Sequence, residues 1–404
     1  MSLRRKGIVP LVALEGLALI LTIGASMGIA RGAENWPQFR GPQSSGVAEG
    51  TGLPEAWSAK ENVLWKLKIP GRGWSSPIVW GDRVFVTAAI QEVGESEPVK
   101  KGFYFGGDRP AAGALQRWMV YCIDWATGKT VWERTAGRRA PRYGRHLKNS
   151  FASETPVTDG QRVYAYFGSL GLFCYDFDGK ELWSRSWGEF PMRANWGTAA
   201  SPVLHGDRVY VVNDNQEKSF LVAVDKVTGK DVWRVDRDEK SNWSTPFVWE
   251  RPERTEIVTA GTRRVRSYGL DGKLLWELGG MSSITIPTPF AGKELLYLGS
   301  GFIVDRKRPV FAIRPGASGD ISLKDAETSN SHVAWCQKLA GPYNPSPLLY
   351  GDHLYVLYDL GQCRGTVPCH AGDRAAKPDP PHGKPVAADR KPSRIDEQIG
   401  IASV

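Results

Sequence analysis

Three tryptophans and three asparagines sit in short segments of the same character: Trp74 in GRGWSS, Asn195 and Trp196 in RANWGTAAS, Asn242 and Trp243 in SNWSTP, and Asn344 in PYNPSP. An indole offers a flat apolar face with one N–H donor, and a carboxamide offers both a donor and an acceptor. Such groups hold a sugar, a peptide or a flat heterocycle; they do not make or break bonds. The competing reading of the same rings is packing between structural units, with no ligand involved. Residues suited to catalysis are harder to find. The chain has no G-x-S-x-G, no H-E-x-x-H and no P-loop, and His146, His205, His332 and His353 are scattered, so neither a catalytic group nor a metal site is expected.

The five cysteines give no framework either. Cys122 and Cys174 fall where Ala223 falls in a third, similar stretch, which makes them small buried hydrophobes. Cys363 and Cys369 have five residues between them, where haem attachment requires two.

What must position the candidate residues is a repeat. VYCIDWATGKTVW, LFCYDFDGKELW, LVAVDKVTGKDVW and VRSYGLDGKLLW each read as a strand, a turn and a strand ending in Trp. Those terminal tryptophans, Trp132, Trp183, Trp233, Trp276 and then Trp335, are roughly forty to sixty residues apart, the period of a propeller blade. Ahead of each lies a Ser/Thr-Pro marker (WSSP, SETP, AASP, WSTP, IPTP, and a sixth, NPSP) followed by strand, Gly-Asp turn and strand, as in PVLHGDRVYVV. Four short antiparallel strands per repeat predict an all-β chain, a β-propeller of five full blades ending near 132, 183, 233, 276 and 335, plus a partial sixth. Val63–Leu67 matches a fourth strand without a blade of its own, and is expected to close the last blade. Residues 90–117 and 314–332 interrupt the pattern as insertions, where binding loops often lie.

Composition agrees. Forty-five glycines and sixteen tryptophans suit Gly-rich turns between aromatic strands, and 41% hydrophobic residues are enough for a core. The net charge of +9 is not a nucleic-acid signal, because its densest run, Gly137–Lys148, reads as one solvated loop. Arg4, Arg5 and Lys6 ahead of an apolar run read as a signal peptide over residues 1–30, cleaved after Ala30. The mature protein is therefore expected in the periplasm or secreted, touching a membrane only if that segment is not cleaved. The propeller is placed at 34–359. Residues 360–404, without an aromatic, read either as a disordered extension or as the product of a frame error, and supply no third strand after Tyr355–Asp359.

With the pattern A-x-D-x-x-T-G-K-x-x-W, the chain resembles the pyrroloquinoline-quinone-like repeat propellers, which include quinoprotein alcohol dehydrogenases and an outer-membrane assembly propeller. ENWPQFRGP and RPGASGDISLK look more like a group of exported bacterial propellers. The resemblance implies seven or eight blades in an intact relative. For the dehydrogenases it also implies a stacked quinone, a Ca²⁺ held by carboxylate and amide oxygens, and a carboxylate base. No two cysteines here are adjacent, as they are over the quinone in many of those enzymes. The expected function is thus a binding or scaffold module without a cofactor, meeting a protein, peptide or saccharide at the propeller mouth. A PQQ-dependent dehydrogenase, or a degenerate descendant of one, is the alternative.

Overall fold

A computed structural model describes residues 35–50, 54, 56–94, 106–111 and 113–358, together with the backbone of strands at 363–368 and 398–402. The expected signal segment, residues 1–30, lies outside the described residues. The strands follow the repeat. After β1 (Val63–Lys68), blade one is β2 (Ile78–Trp80), β3 (Arg83–Gln91), β4 (Gln116–Asp124) and β5 (Thr130–Arg139). Blade two is β6 (Val157–Thr158), β7 (Arg162–Phe167), β8 (Gly171–Asp176) and β9 (Glu181–Arg185). Blade three is β10 (Val203–His205), β11 (Arg208–Asn213), β12 (Ser219–Asp225) and β13 (Asp231–Arg237). Blade four is β14 (Phe247–Trp249), β15 (Glu256–Thr259), β16 (Arg264–Tyr268) and β17 (Leu274–Gly279). Blade five is β18 (Phe290–Ala291), β19 (Leu296–Gly299), β20 (Val310–Ile313) and, after the short β21 (Gly319–Asp320), β22 (Val333–Gln337). Within each blade neighbouring strands pair antiparallel, and the first strands, β2, β6, β10, β14 and β18, neighbour one another in that order. This is a β-propeller, with the Ser/Thr-Pro markers at the end where each first strand begins and the Gly-Asp turns at the other.

The markers have a physical reason. Ser76 N–H donates to Thr155 Oγ1 (2.9 Å), Thr155 N–H to Ser201 Oγ (2.9 Å) and Ser201 N–H to Thr245 Oγ1 (3.0 Å). Further round, Thr288 N–H donates to Ser346 Oγ (3.0 Å). Four of the six marker hydroxyls, those of Thr155, Ser201, Thr245 and Ser346, therefore staple one blade to the one before it, each bond contributing about 1 kcal/mol.

The terminal tryptophan is the second staple. Trp132, Trp183 and Trp233 send Nε1–H to carbonyls in the next blade's hairpin turn: Phe177 O, Lys226 O and Leu270 O, at 2.8, 3.2 and 2.8 Å. Each ring lies on the glycine of that turn. At Gly229, with φ 71°, an added Cβ would stand 2.6 Å from the Trp183 ring. The turn itself is held by its aspartate: Asp225 Oδ1 accepts from Thr228 N–H (2.7 Å) and Thr228 Oγ1–H (2.8 Å), which lowers its pKa. Across the sheet from each tryptophan stands a small residue, Cys122, Cys174, Ala223, Ser267 or Ala312, and a bulge follows in all five blades. The two cysteines are free, buried thiols, as expected, with pKa values pushed up to about 12 by burial.

Three elements depart from expectation. The insertion at 314–332 is not a free loop: β21 pairs parallel with β17 as a fifth strand of blade four, through Trp276↔Gly319 and Glu277↔Asp320. Ala317 and Ile321 join the core over Trp276, whose indole N–H turns instead to Glu256 Oε2 (2.7 Å). The sixth blade does receive a third strand: β23 (Leu348–Tyr350) and β24 (His353–Leu357) are followed by β25 (Cys363–Pro368), antiparallel to β24. The tail is therefore not featureless, because its alternating Cys-Arg-Gly-Thr-Val run covers the open edge of β24. Finally, β1 pairs not with that sheet but with β26 (Gln398–Ala402). Trp65 nevertheless behaves as a terminal tryptophan, donating to Trp125 O (2.8 Å) and resting on Gly128 of blade one.

Candidate functional site

The end of the propeller where the first strands begin carries the candidate residues. Trp196 and Trp243 come together, with ring centroids 6.0 Å apart and planes inclined at 32°. Both are pinned by their indole N–H groups. Trp243 donates to Gly197 O (2.7 Å), and Trp196 donates to Gly107 O (2.8 Å) on the insertion of blade one. That insertion also takes Asn195, whose Nδ2 donates to Arg109 O (2.8 Å) while Arg109 N–H returns a bond to Ala194 O (3.0 Å). His146 meets the edge of Trp196 at 5.3 Å; burial and the nearby Lys148 and Arg109 hold its pKa down, which favours the neutral ring. Around the pair pack Met192, Ile284, Ile286, Phe302 and Tyr343.

Trp74 is not part of this cluster and stands 48% exposed, its backbone held by Trp74 N–H to Ala152 O (3.0 Å). Asn344 is exposed beside Tyr343. Asn242 is buried and points the other way, donating to Asp214. Sequence reading missed Ile284, Ile286 and Tyr343, although they lie in the segments leading to IPTP and NPSP and could have been found by aligning those segments with SNWSTP. Phe302 follows a second strand and carried no signal.

Next to the aromatic cluster runs a buried polar layer. A small cleft is lined by Met192 and Ala199 on one side and by Tyr166, Asn213, Asp214 and Asn242 on the other. Asp214 and Arg237 are both fully buried, bonded Nε to Oδ1 at 2.7 Å and Nη2 to Oδ2 at 2.9 Å. Arg237 Nη1 also donates to Thr259 Oγ1 (2.7 Å) and to the Tyr268 hydroxyl (2.9 Å). Glu154 is buried as well and accepts from Gly168 N–H (3.0 Å), Ser153 N–H (3.2 Å) and the Thr198 hydroxyl; burial raises its pKa. Among the described residues no buried side-chain nitrogen or oxygen of this layer lacks a partner, so it specifies the packing of the mouth.

A quinone with its cation requires a carboxylate and an amide oxygen free to coordinate. The best approach to that set here is Asp214 with Asn242, and both carboxylate oxygens of Asp214 are already occupied by Arg237. With both oxygens held by a fixed guanidinium, this pair does not offer the donor set that the group needs. Among the described residues no cluster of three His, Cys, Asp or Glu side chains is placed to hold a metal.

A family model described as outer membrane protein assembly factor BamB matches residues 117–358, more than half of the chain. The chain belongs to that family. Among solved structures it is similar to BamB from Moraxella catarrhalis, 14% identical over 76% of this chain and 90% of that one, with a TM-score of 0.40. It is also similar to the quinohemoprotein alcohol dehydrogenase from Comamonas testosteroni, 11% identical over 81% of this chain, with a TM-score of 0.50. The chain spans 58% of that dehydrogenase's length, and at such identities the likeness speaks of the fold alone. No curated protein matches the sequence.

Proposed function

We propose that the chain is an exported binding propeller that docks a protein partner on the face where its first strands begin, in the service of outer-membrane protein assembly. The observation that carries this reading is the mouth itself. Trp196 is fixed by its bond to Gly107 O and backed by the buried Trp243, itself bonded to Gly197 O, and Trp74 stands 48% exposed on the same face. A rigid aromatic platform loses little entropy on binding, which is what a docking site requires and what a merely structural loop does not. The loops of this face are more basic than acidic: Arg142, Lys148, Arg193, Lys240 and Lys307 are exposed there against Asp108, Glu217 and Asp238, the last paired with Arg263. They fit an acidic partner surface and speed encounter with it. Family membership supports the process, and a signal-like N-terminus supports export, with the mature protein acting in the periplasm.

The test is genetic. Deleting the gene should lower the amounts of outer-membrane β-barrel proteins, and the wild-type gene should restore them. A Trp74→Ala, Arg193→Glu double variant, both positions being exposed, should accumulate normally and fail to restore them. Full restoration by the variant would refute docking at this face.

A further inference from the structure

On the mouth face, and resting on its reading as a docking surface, we infer a further half of the site: the blade-five loop at residues 300–309, which takes an acidic partner segment carrying an apolar side chain. Second strands end at the mouth, so the links to the third strands lie there. In blades two to four those links are short, at residues 168–170, 214–218 and 260–263, whereas blade five spends 300–309 on the same step. Long connections on a rigid scaffold are where binding residues gather.

This loop is pinned at several points. Ser300 N–H donates to Pro309 O (3.1 Å) at its base, and Asp305 N–H donates to Phe302 O (2.9 Å) across its turn. From the link between blades four and five, Ser282 Oγ–H and Ser283 N–H both donate to Asp305 Oδ2 (2.6 Å each). Phe302 N–H in turn donates to Ser282 Oγ (2.7 Å). Burial alone would raise the Asp305 pKa, but these bonds and nearby Arg193 hold it below the usual carboxylate range. Phe302 lies beside Tyr343, ring centroids 5.1 Å apart, and both pack with Trp196 against the buried Trp243 and Ile284. From this base the turn lifts Val304 into solvent, 63% exposed, with Arg306 and Lys307 exposed beyond it.

An apolar side chain held out by a fixed loop loses little entropy when it is covered, which suits an anchor. The charge around it is of one sign. Residues 280–289, 300–309 and 338–347 hold Arg306, Lys307, Arg308 and Lys338 against Asp305 alone, and Asp305 is turned to the two serines. Arg193 adds a further cation, its Nη1 donating to Ser283 O (3.3 Å). The exposed acidic groups Glu217 and Asp238 belong to blade three and the link that follows it. An acidic segment is therefore attracted to this loop, and a basic one is repelled.

Calorimetric titration of the whole protein with three capped peptides tests the assignment: Ac-DEFDEL-amide, Ac-DESDES-amide without the apolar side chains, and the basic Ac-KKFKKL-amide. The first should bind about tenfold more tightly than either of the others, because anchor and charge both contribute. Val304→Asp should remove that advantage, and so should Arg306→Glu with Lys307→Glu, all three positions being exposed. Val227→Asp, at the other end of the propeller, should leave it unchanged. Equal affinity for the acidic and basic peptides, no uptake of the first, or a preference that survives Val304→Asp would overturn the assignment. If the Trp74, Arg193 double variant fails in the cell while the acidic peptide shows no preference, the mouth docks its partner elsewhere and this loop alone is refuted.

Discussion

Arg237→Leu should destabilise the protein by about 3–5 kcal/mol, a loss read from the urea midpoint at unchanged slope. The reason is the partner left behind. Asp214 is fully buried and receives two bonds from Arg237, so leucine strands a carboxylate with only the Asn242 amide for company. Thr259 and Tyr268 lose a donor at the same time. Burial alone would lower the Arg237 pKa, but Asp214 more than offsets it and raises the net value, so the guanidinium stays charged. Replacing both partners, Asp214→Leu with Arg237→Leu, should recover much of the loss, because no lone charge remains. A single-variant loss below about 1 kcal/mol would mean that the layer beside the mouth is wet and loosely held.

Trp233→Ala should cost about 3 kcal/mol, within the range for truncating a large packed aromatic. Its ring covers Gly272 of the next blade, lies 5.9 Å from Tyr210 and donates to Leu270 O. Trp233→Phe keeps most of the contact and should cost nearer 1 kcal/mol, the value of the lost hydrogen bond. If the tryptophan lined a ligand site instead of joining blades, both variants would melt like the wild type. Their denaturant midpoints therefore separate the two roles.

Much of this architecture was legible because the repeat spells out its joints. A Ser or Thr before proline, an Asp and a Gly in the hairpin turn and a closing Trp are local signals; the hydroxyl and the Trp bond to the adjacent blade, and the Asp holds the turn on which the neighbouring Trp rests. The parts that were not legible depend on where a segment goes in space. Nothing in RPGASGDISLK says that Gly319 and Asp320 will pair parallel to β17, since two residues carry no period. The third strand at Cys363–Pro368 was missed because it lacks aromatics and the Asp-turn-Trp spelling of the other blades. At the mouth, the indole of Trp196 and the amide of Asn195 could be named from sequence. Their capture by Gly107 and Arg109 could not, because those partners come from an insertion nearly ninety residues away.

The measurement that bears most directly on the central claim is site-specific photo-crosslinking in the cell. A photoreactive residue in place of Trp74 reports the face with the aromatic mouth. One in place of Val227, 53% exposed in a hairpin turn, reports the other end. Docking at the mouth predicts a discrete adduct with a component of outer-membrane protein assembly from position 74, weakened by Arg193→Glu, and none from position 227. Adducts from position 227 alone would contradict it.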